Sequence, residues 1–156
     1  MSTTPVLAPV EGRALPLSEV PDPVFSQGMV GHGAAVEPPQ QVVDAVAPVS
    51  GKILKLLPHA YVIMTADNVG VLVHLGLDTV TLSGAGFTAH VAQGDTVTAG
   101  QKVITYDVPA IIAAGLSPVV PVVVMDERDP SNIAVGEQVS AGGSIAVGAV
   151  LFTAGK

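Results

Sequence analysis

Four histidines, His32, His59, His74 and His90, titrate nearest neutral pH, and in a chain without cysteine they are the leading nucleophiles and metal ligands. His90 lies in Phe87-Thr88-Ala89-His90-Val91, just before a Gly94-Asp95 turn, and reads as a solvated surface residue. His32 sits between Gly31 and Gly33, in a turn that could border a site. His74 differs, because it interrupts the aliphatic run Val71-Leu72-Val73-His74-Leu75-Gly76-Leu77, where a buried imidazolium would be costly and a neutral ring is expected. When one nitrogen of a neutral imidazole donates a hydrogen bond, the other keeps a lone pair that can attack phosphorus or bind zinc. On residue types alone a hydrogen-bonded core histidine is the more common outcome, by roughly two to one, and the spacing to His59 is what shifts the balance.

The elements that must carry these rings read as strands. His59 opens a second apolar run, His59-Ala60-Tyr61-Val62-Ile63-Met64, and Thr65-Ala66-Asp67-Asn68-Val69-Gly70 between the runs is hairpin chemistry. Antiparallel pairing of the two runs would bring His59 to His74. Val71, Val73 and Leu75 alternate with Leu72, His74 and Gly76, and Val97 alternates with Thr96 and Thr98. The 17 glycines and 13 prolines punctuate short β-branched runs throughout. One short helix is expected over Pro109–Ala114, with Asp107 as cap, Gly115 as stop and Pro118 beyond. Gly94-Asp95-Thr96-Val97-Thr98-Ala99-Gly100 recurs 42 residues on as Gly136-Glu137-Gln138-Val139-Ser140-Ala141-Gly142, which suggests two similar β-units packed together.

Composition narrows the function. A chain of 156 residues, 49% hydrophobic and 12% charged, is expected to fold as a single domain, residues 1–156 with a core over about 8–150. Its net charge of -7 repels a phosphate backbone or an anionic membrane surface, so nucleic acid is not an expected partner. No apolar run is long enough to span a bilayer, since Pro121 breaks Val119–Met125 and His74 and Gly76 interrupt Val71–Leu77; direct membrane insertion is not expected. The segment Met1 to Pro5 lacks the features of a secretory signal, and a cytoplasmic location is the expectation.

His59-Ala60, a hairpin, and then His74-Leu75-Gly76-Leu77-Asp78-Thr79-Val80 resemble the signature of the glucose-type enzyme IIA of bacterial sugar phosphotransferase systems. Val20-Pro21-Asp22-Pro23-Val24-Phe25-Ser26-Gln27, Met29-Val30-Gly31, Ala47-Pro48-Val49-Ser50-Gly51-Lys52-Ile53, Gly84-Ala85-Gly86-Phe87 and Ser117-Pro118-Val119-Val120 are similar to further blocks of that family in the same order. The resemblance implies an all-β fold, an antiparallel β-sandwich of the duplicated hybrid type with one or two very short helices. It implies a phosphoryl relay in which His74 is phosphorylated by the carrier HPr and passes the group to an enzyme IIB domain of a glucose-type permease. His59 would hydrogen-bond the phosphoryl group and serve mainly the onward transfer. Leu72 and Leu75 would form apolar walls for a partner, and Asp78 the acidic rim facing an arginine of the carrier. No cofactor is required, although zinc at His59 and His74, completed by a partner's carboxylate, is a regulatory variation the resemblance also implies. A role as regulator, with the phosphorylation state selecting partner proteins, would use the same face.

Two departures stand out. Val30-Gly31-His32-Gly33 replaces the family's usual Val-Gly-Asp-Gly, so His32 would stand where an acidic contact to the carrier is expected. Leu56-Leu57-Pro58-His59 is a shorter turn that lacks the family's threonine. Two rival readings remain. A zinc hydrolase of the lysostaphin-like fold would need a third protein ligand, and no suitably spaced one is evident. A swinging carrier domain modified on Lys52 would need that lysine at a hairpin tip, whereas Lys52 opens an alternating strand.

Overall fold

Period-two alternation closed by glycine and proline turns builds short strands that can be buried only by stacking sheets on one another. The computed structural model describes residues 3–82, 84–125, 127, 129–136, 139 and 142–155, with the side chains of 80 and 130 left aside. The strands are β1 (Thr3–Leu7), β2 (Gly12–Pro16), β3 (Gly31–Glu37), β4 (Val42–Val46), β5 (Gly51–Leu57), β6 (Ala60–Met64), β7 (Gly70–His74), β8 (Phe87–Ala89), β9 (Thr96–Val97), β10 (Lys102–Asp107), β11 (Val120–Met125), β12 (Ile133–Val135), β13 (Ser144–Ile145) and β14 (Val150–Gly155). Two short helices interrupt them, α1 (Pro23–Ser26) and α2 (Val108–Ala113). Helix α2 begins one residue before the expected span. Its cap is the expected one, the Ala110 N–H donating to Asp107 Oδ1 at 3.2 Å.

Eight strands form one sheet in the order β13-β2-β3-β11-β7-β6-β5-β9, and two three-stranded sheets, β1-β14-β12 and β4-β10-β8, complete the sandwich. All pairings are antiparallel. One continuous core joins the three sheets, with Tyr61, Val71, Val73 and Val122 from the large sheet meeting Tyr106 and Phe152 from the small ones. A second, smaller cluster lies on the opposite face of the large sheet, where Leu17, Val20 and Phe25 cover Ala35 and Val123.

The sheet order is palindromic about the β11–β7 contact: β13 answers β9, β2 answers β5, and β3 answers β6. The duplication is therefore real, but its register differs from the one expected. Strand β13 follows β9 by 48 residues (Val97 to Ile145), and β14 follows β10 by the same interval (Lys102 to Val150). The turn 94–100 thus corresponds to 142–148. Matching bonds support this: the Gly100 N–H donates to Ala47 O at 2.8 Å and the Gly148 N–H to Ala8 O at 3.0 Å. The expected copy at 136–142 has residues 137, 138, 140 and 141 outside the described set. A more telling repeat is Ala8-Pro9-Val10-Glu11-Gly12-Arg13 against Ala47-Pro48-Val49-Ser50-Gly51-Lys52, which enter β2 and β5 equivalently.

Candidate functional site: a histidine pair at the end of the central hairpin

The hairpin expected from the sequence forms. Strands β6 and β7 pair with Ala60 opposite His74 and Met64 opposite Gly70. Its turn is closed by Thr65, whose N–H donates to Val69 O at 3.0 Å and whose Oγ1 accepts from the Val69 N–H at 3.1 Å. Asn68 takes the left-handed conformation there (φ 63°), which asparagine tolerates better than most residues. At the other end Pro58 and His59 are the two residues joining β5 to β6, since Leu57 pairs with Ala60. The Leu75 N–H then donates to His59 O at 2.7 Å, extending the ladder beyond the strands.

This register places the His59 and His74 rings 5.1 Å apart between centroids, at 70° to one another. Phe25 packs on the other side of His74, 5.3 Å away and tilted by 55°. His74 Nδ1 lies 2.6 Å from Gly76 O. A carbonyl can only accept, so Nδ1 carries the proton and the lone pair of the neutral ring is on Nε2. Burial holds the His74 pKa below the ordinary histidine value, opposed by the Gly76 hydrogen bond and by the charges of Asp22 and Asp78. Burial, and then the proximity of His74, holds His59 down as well. Both rings are therefore neutral near pH 7. Among the described residues no protein group hydrogen-bonds the His59 ring, and its nitrogens are open to a ligand.

The loop after His74 is held from below. Gly76 has φ 81° and Asp78 φ 59°. The Gly76 N–H donates to Val119 O at 3.1 Å and the Leu77 N–H to Ser117 O at 2.9 Å, while buried Thr79 donates through Oγ1 to Leu75 O at 2.8 Å. A Cβ on Gly76 would fall 2.6 Å from Thr79 Cγ2 and 3.0 Å from both Ser117 O and the Tyr106 hydroxyl, so only glycine fits.

Residues 4–129 match the family described as phosphoenolpyruvate-dependent sugar phosphotransferase system, EIIA 1. The chain belongs to that family. It is 42% identical over 137 residues to the glucose-specific EIIA component of Oceanobacillus iheyensis, an alignment covering 85% of this chain and 82% of that protein. It is 47% identical over 115 residues to the glucose-specific EIICBA component of Streptococcus pneumoniae, covering 72% of this chain but only 16% of that longer protein. The solved glucose permease IIA from Mycoplasma capricolum superposes with a TM-score of 0.86 at 35% identity, covering 98% of this chain and 96% of that one. As an EIIA, the chain is a phosphoryl carrier of the sugar phosphotransferase system and a component of its phosphotransferase relay. No helix among the described residues is long and apolar enough to cross a membrane.

Set against the EIIA signature, most of the expected residues gather at one place and some do not. His59, His74 and Asp78 come together. Leu72 is half-buried on the His74 face of β7, packed against the smaller cluster. Leu75 is 0% exposed and belongs to the main core, so it offers a partner no surface; the alternation that turns Leu72 outward turns Leu75 inward. His32, expected to replace an acidic contact, pairs across β3–β11 with Val124. It packs over Gly28, where an added Cβ would fall 2.3 Å from its ring. The acidic flank is not missing, because Asp22 supplies it alongside Asp78. Asp22 also caps α1, accepting from the Val24 N–H at 3.0 Å, and α1 in turn presents Phe25. Asp22-Pro23 is a helix-start signal that could have flagged both residues. The shortened turn before His59 is closed by Pro58, which packs near Gly84.

The donor set does not favour a zinc hydrolase. The described residues hold no group of three or more metal-ligating side chains, and two imidazoles fall short of the three protein ligands of a catalytic zinc. Lys52 lies within β5, paired with Met64 on one side and Thr96 on the other, not at a hairpin tip.

Proposed function

We propose that His74 Nε2 accepts the phosphoryl group from a phosphohistidine of HPr and passes it to the enzyme IIB domain of a glucose-type permease, with His59 hydrogen-bonding the phosphoryl oxygens. The observation that carries this reading is the Gly76 carbonyl on Nδ1, which commits the lone pair to Nε2. In the loading step that lone pair forms a bond to phosphorus as the donor's N–P bond breaks and its electron pair returns to the donor imidazole. Nδ1 keeps its proton against Gly76 O, so the phosphorylated ring carries a positive charge spread over both nitrogens, and the ring becomes neutral again when the N–P bond breaks toward the next acceptor and its electron pair returns to Nε2. Such a transfer asks for in-line positioning and charge stabilisation more than for difficult covalent chemistry. Phe25 and Leu72 border the ring with apolar surface that a docked partner would cover, excluding water from the N–P bond. Asp22 and Asp78 offer negative charge to a basic partner and favour fast, transient encounters. Partners that bind according to phosphorylation state would read the same face.

Incubation with enzyme I, HPr and phosphoenolpyruvate tests the assignment. One acid-labile, base-stable phosphoryl group should be incorporated per chain. His74→Ala should abolish loading, while His59→Gln should load and then fail to deliver to IIB. Full incorporation into His74→Ala would overturn the assignment.

A further inference from the structure

Tyr106 and Tyr61 are the two largest buried polar side chains that the relay leaves unused, and Tyr106 is the one beside the Gly76 loop. It lies in the middle strand of the β4-β10-β8 sheet, is 0% exposed, and stacks on Phe87 with centroids 5.6 Å apart. Its hydroxyl donates to Pro118 O at 2.8 Å. Three successive carbonyls of the segment before β11 are thereby committed: Ser117 O to the Leu77 N–H, Pro118 O to the Tyr106 hydroxyl, and Val119 O to the Gly76 N–H. The outer two hold the loop whose next carbonyl, Gly76 O, takes the His74 Nδ1 proton. The hydroxyl also lies directly beneath Gly76, 3.0 Å from where a Cβ on that residue would sit. Burial pushes the phenol's pKa far up, so it remains a donor at any pH of interest.

We propose that Tyr106 is a positioning residue for the phosphoryl relay: its hydroxyl clamps Pro118 so that the 117–119 carbonyls hold Gly76 O on His74 Nδ1, which keeps the nucleophilic lone pair on Nε2. The proposal rests on the assignment of His74 as acceptor. If the clamp is released, the Gly76 carbonyl loses its fixed direction. The Nε2–H tautomer, which cannot attack, then gains population. The same loss weakens the bond that stabilises the His74 imidazolium, so the ring protonates at lower pH.

Tyr106→Phe removes the hydroxyl while keeping the ring, the stack on Phe87 and the core volume. Tyr61→Phe is the control: Tyr61 is also buried, and its hydroxyl donates to Val46 O at 2.7 Å, remote from the Gly76 loop. Both variants lose one buried hydrogen bond and should melt at lower temperature by a similar amount. Only Tyr106→Phe should move the His74 ring ¹⁵N resonances away from a single Nδ1–H tautomer. It should also slow loading by HPr about fivefold at plateau, the equivalent of one ordinary hydrogen bond, and shift the acid limb of the loading profile to lower pH. If Tyr106→Phe loses stability but leaves the His74 resonances and loading profile as in the wild type, the hydroxyl is only a core anchor and the proposal is overturned. If the resonances move while the wild type itself takes up no phosphoryl group, the positioning role stands and the relay assignment fails.

Discussion

Gly76→Ala tests whether the backbone beneath His74 sets the chemistry. Alanine at φ 81° would hold a left-handed conformation, which costs about 1–2 kcal/mol for an L-residue. The added methyl would meet Thr79 Cγ2 at 2.6 Å, a distance no real Cβ contact sustains. Thr79 cannot simply turn away, because its hydroxyl is buried and bonded to Leu75 O at 2.8 Å. The other two neighbours, Ser117 O and the Tyr106 hydroxyl, are fixed by their own hydrogen bonds. Overpacking of this kind costs about 1–3 kcal/mol, so the total is about 2–5 kcal/mol. For a domain of this length that corresponds to a melting temperature lower by about 4–20 °C. Thermal unfolding followed by circular dichroism measures the stability, and the ¹⁵N shifts of His74 measure the tautomer. Any relief of the clash must move Gly76, so the resonances should report a mixed tautomer even in the fraction that stays folded. A variant that melts with the wild type and keeps a single Nδ1–H form would refute the view that this loop is sterically committed to one carbonyl direction.

Two further outcomes follow from the burial pattern. His59 and His74 both have depressed pKa values in the folded state, so between those values and about 6.5 the unfolded chain binds more protons than the folded one. Stability should therefore fall as pH drops below about 6.5, and the double variant His59→Gln/His74→Gln should flatten that limb of a denaturation-midpoint profile; an unchanged slope would show the rings to be ordinarily solvated. Leu72→Ser, at a half-buried site on the smaller cluster, should lower the melting temperature less than Leu75→Ala and raise the KM for HPr, whereas Leu75→Ala, which empties a fully buried site, should cost about 2–5 kcal/mol of stability and leave that KM unchanged. The opposite pattern would mean that Leu75, not Leu72, meets the partner.

The histidine pair was legible because it depends on local register. Two alternating runs joined by Thr65 to Gly70 can pair in few ways, and the observed one sets Ala60 opposite His74. Leu75 was also legible, since Val71, Val73 and Leu75 share one parity, and grouping it with Leu72 as partner surface set that parity aside. Asp22 and Phe25 were harder. They lie some fifty residues before His74 on a four-residue helix, and nothing in composition says that a segment so short folds back across the large sheet. The 42-residue spacing follows Gly-Asp and Gly-Glu turns, which recur in β proteins, whereas the structural equivalence runs through two left-handed glycines, Gly100 (φ 90°) and Gly148 (φ 83°), whose N–H groups donate to Ala47 O and Ala8 O, so its sequence trace is the Ala-Pro-Val-x-Gly repeat at 8–12 and 47–51. The tautomer of His74 is the extreme case. It follows from the direction of one carbonyl, that carbonyl sits on a left-handed glycine, and the loop around the glycine is bonded to Ser117 O and Val119 O in the segment before β11, whose Pro118 O takes the Tyr106 hydroxyl from β10. Residue types and spacing single out the ring proposed to hold a phosphoryl group, but the choice of nitrogen belongs to long-range backbone geometry, and for that reason Tyr106→Phe and Gly76→Ala should both reach His74 without touching it.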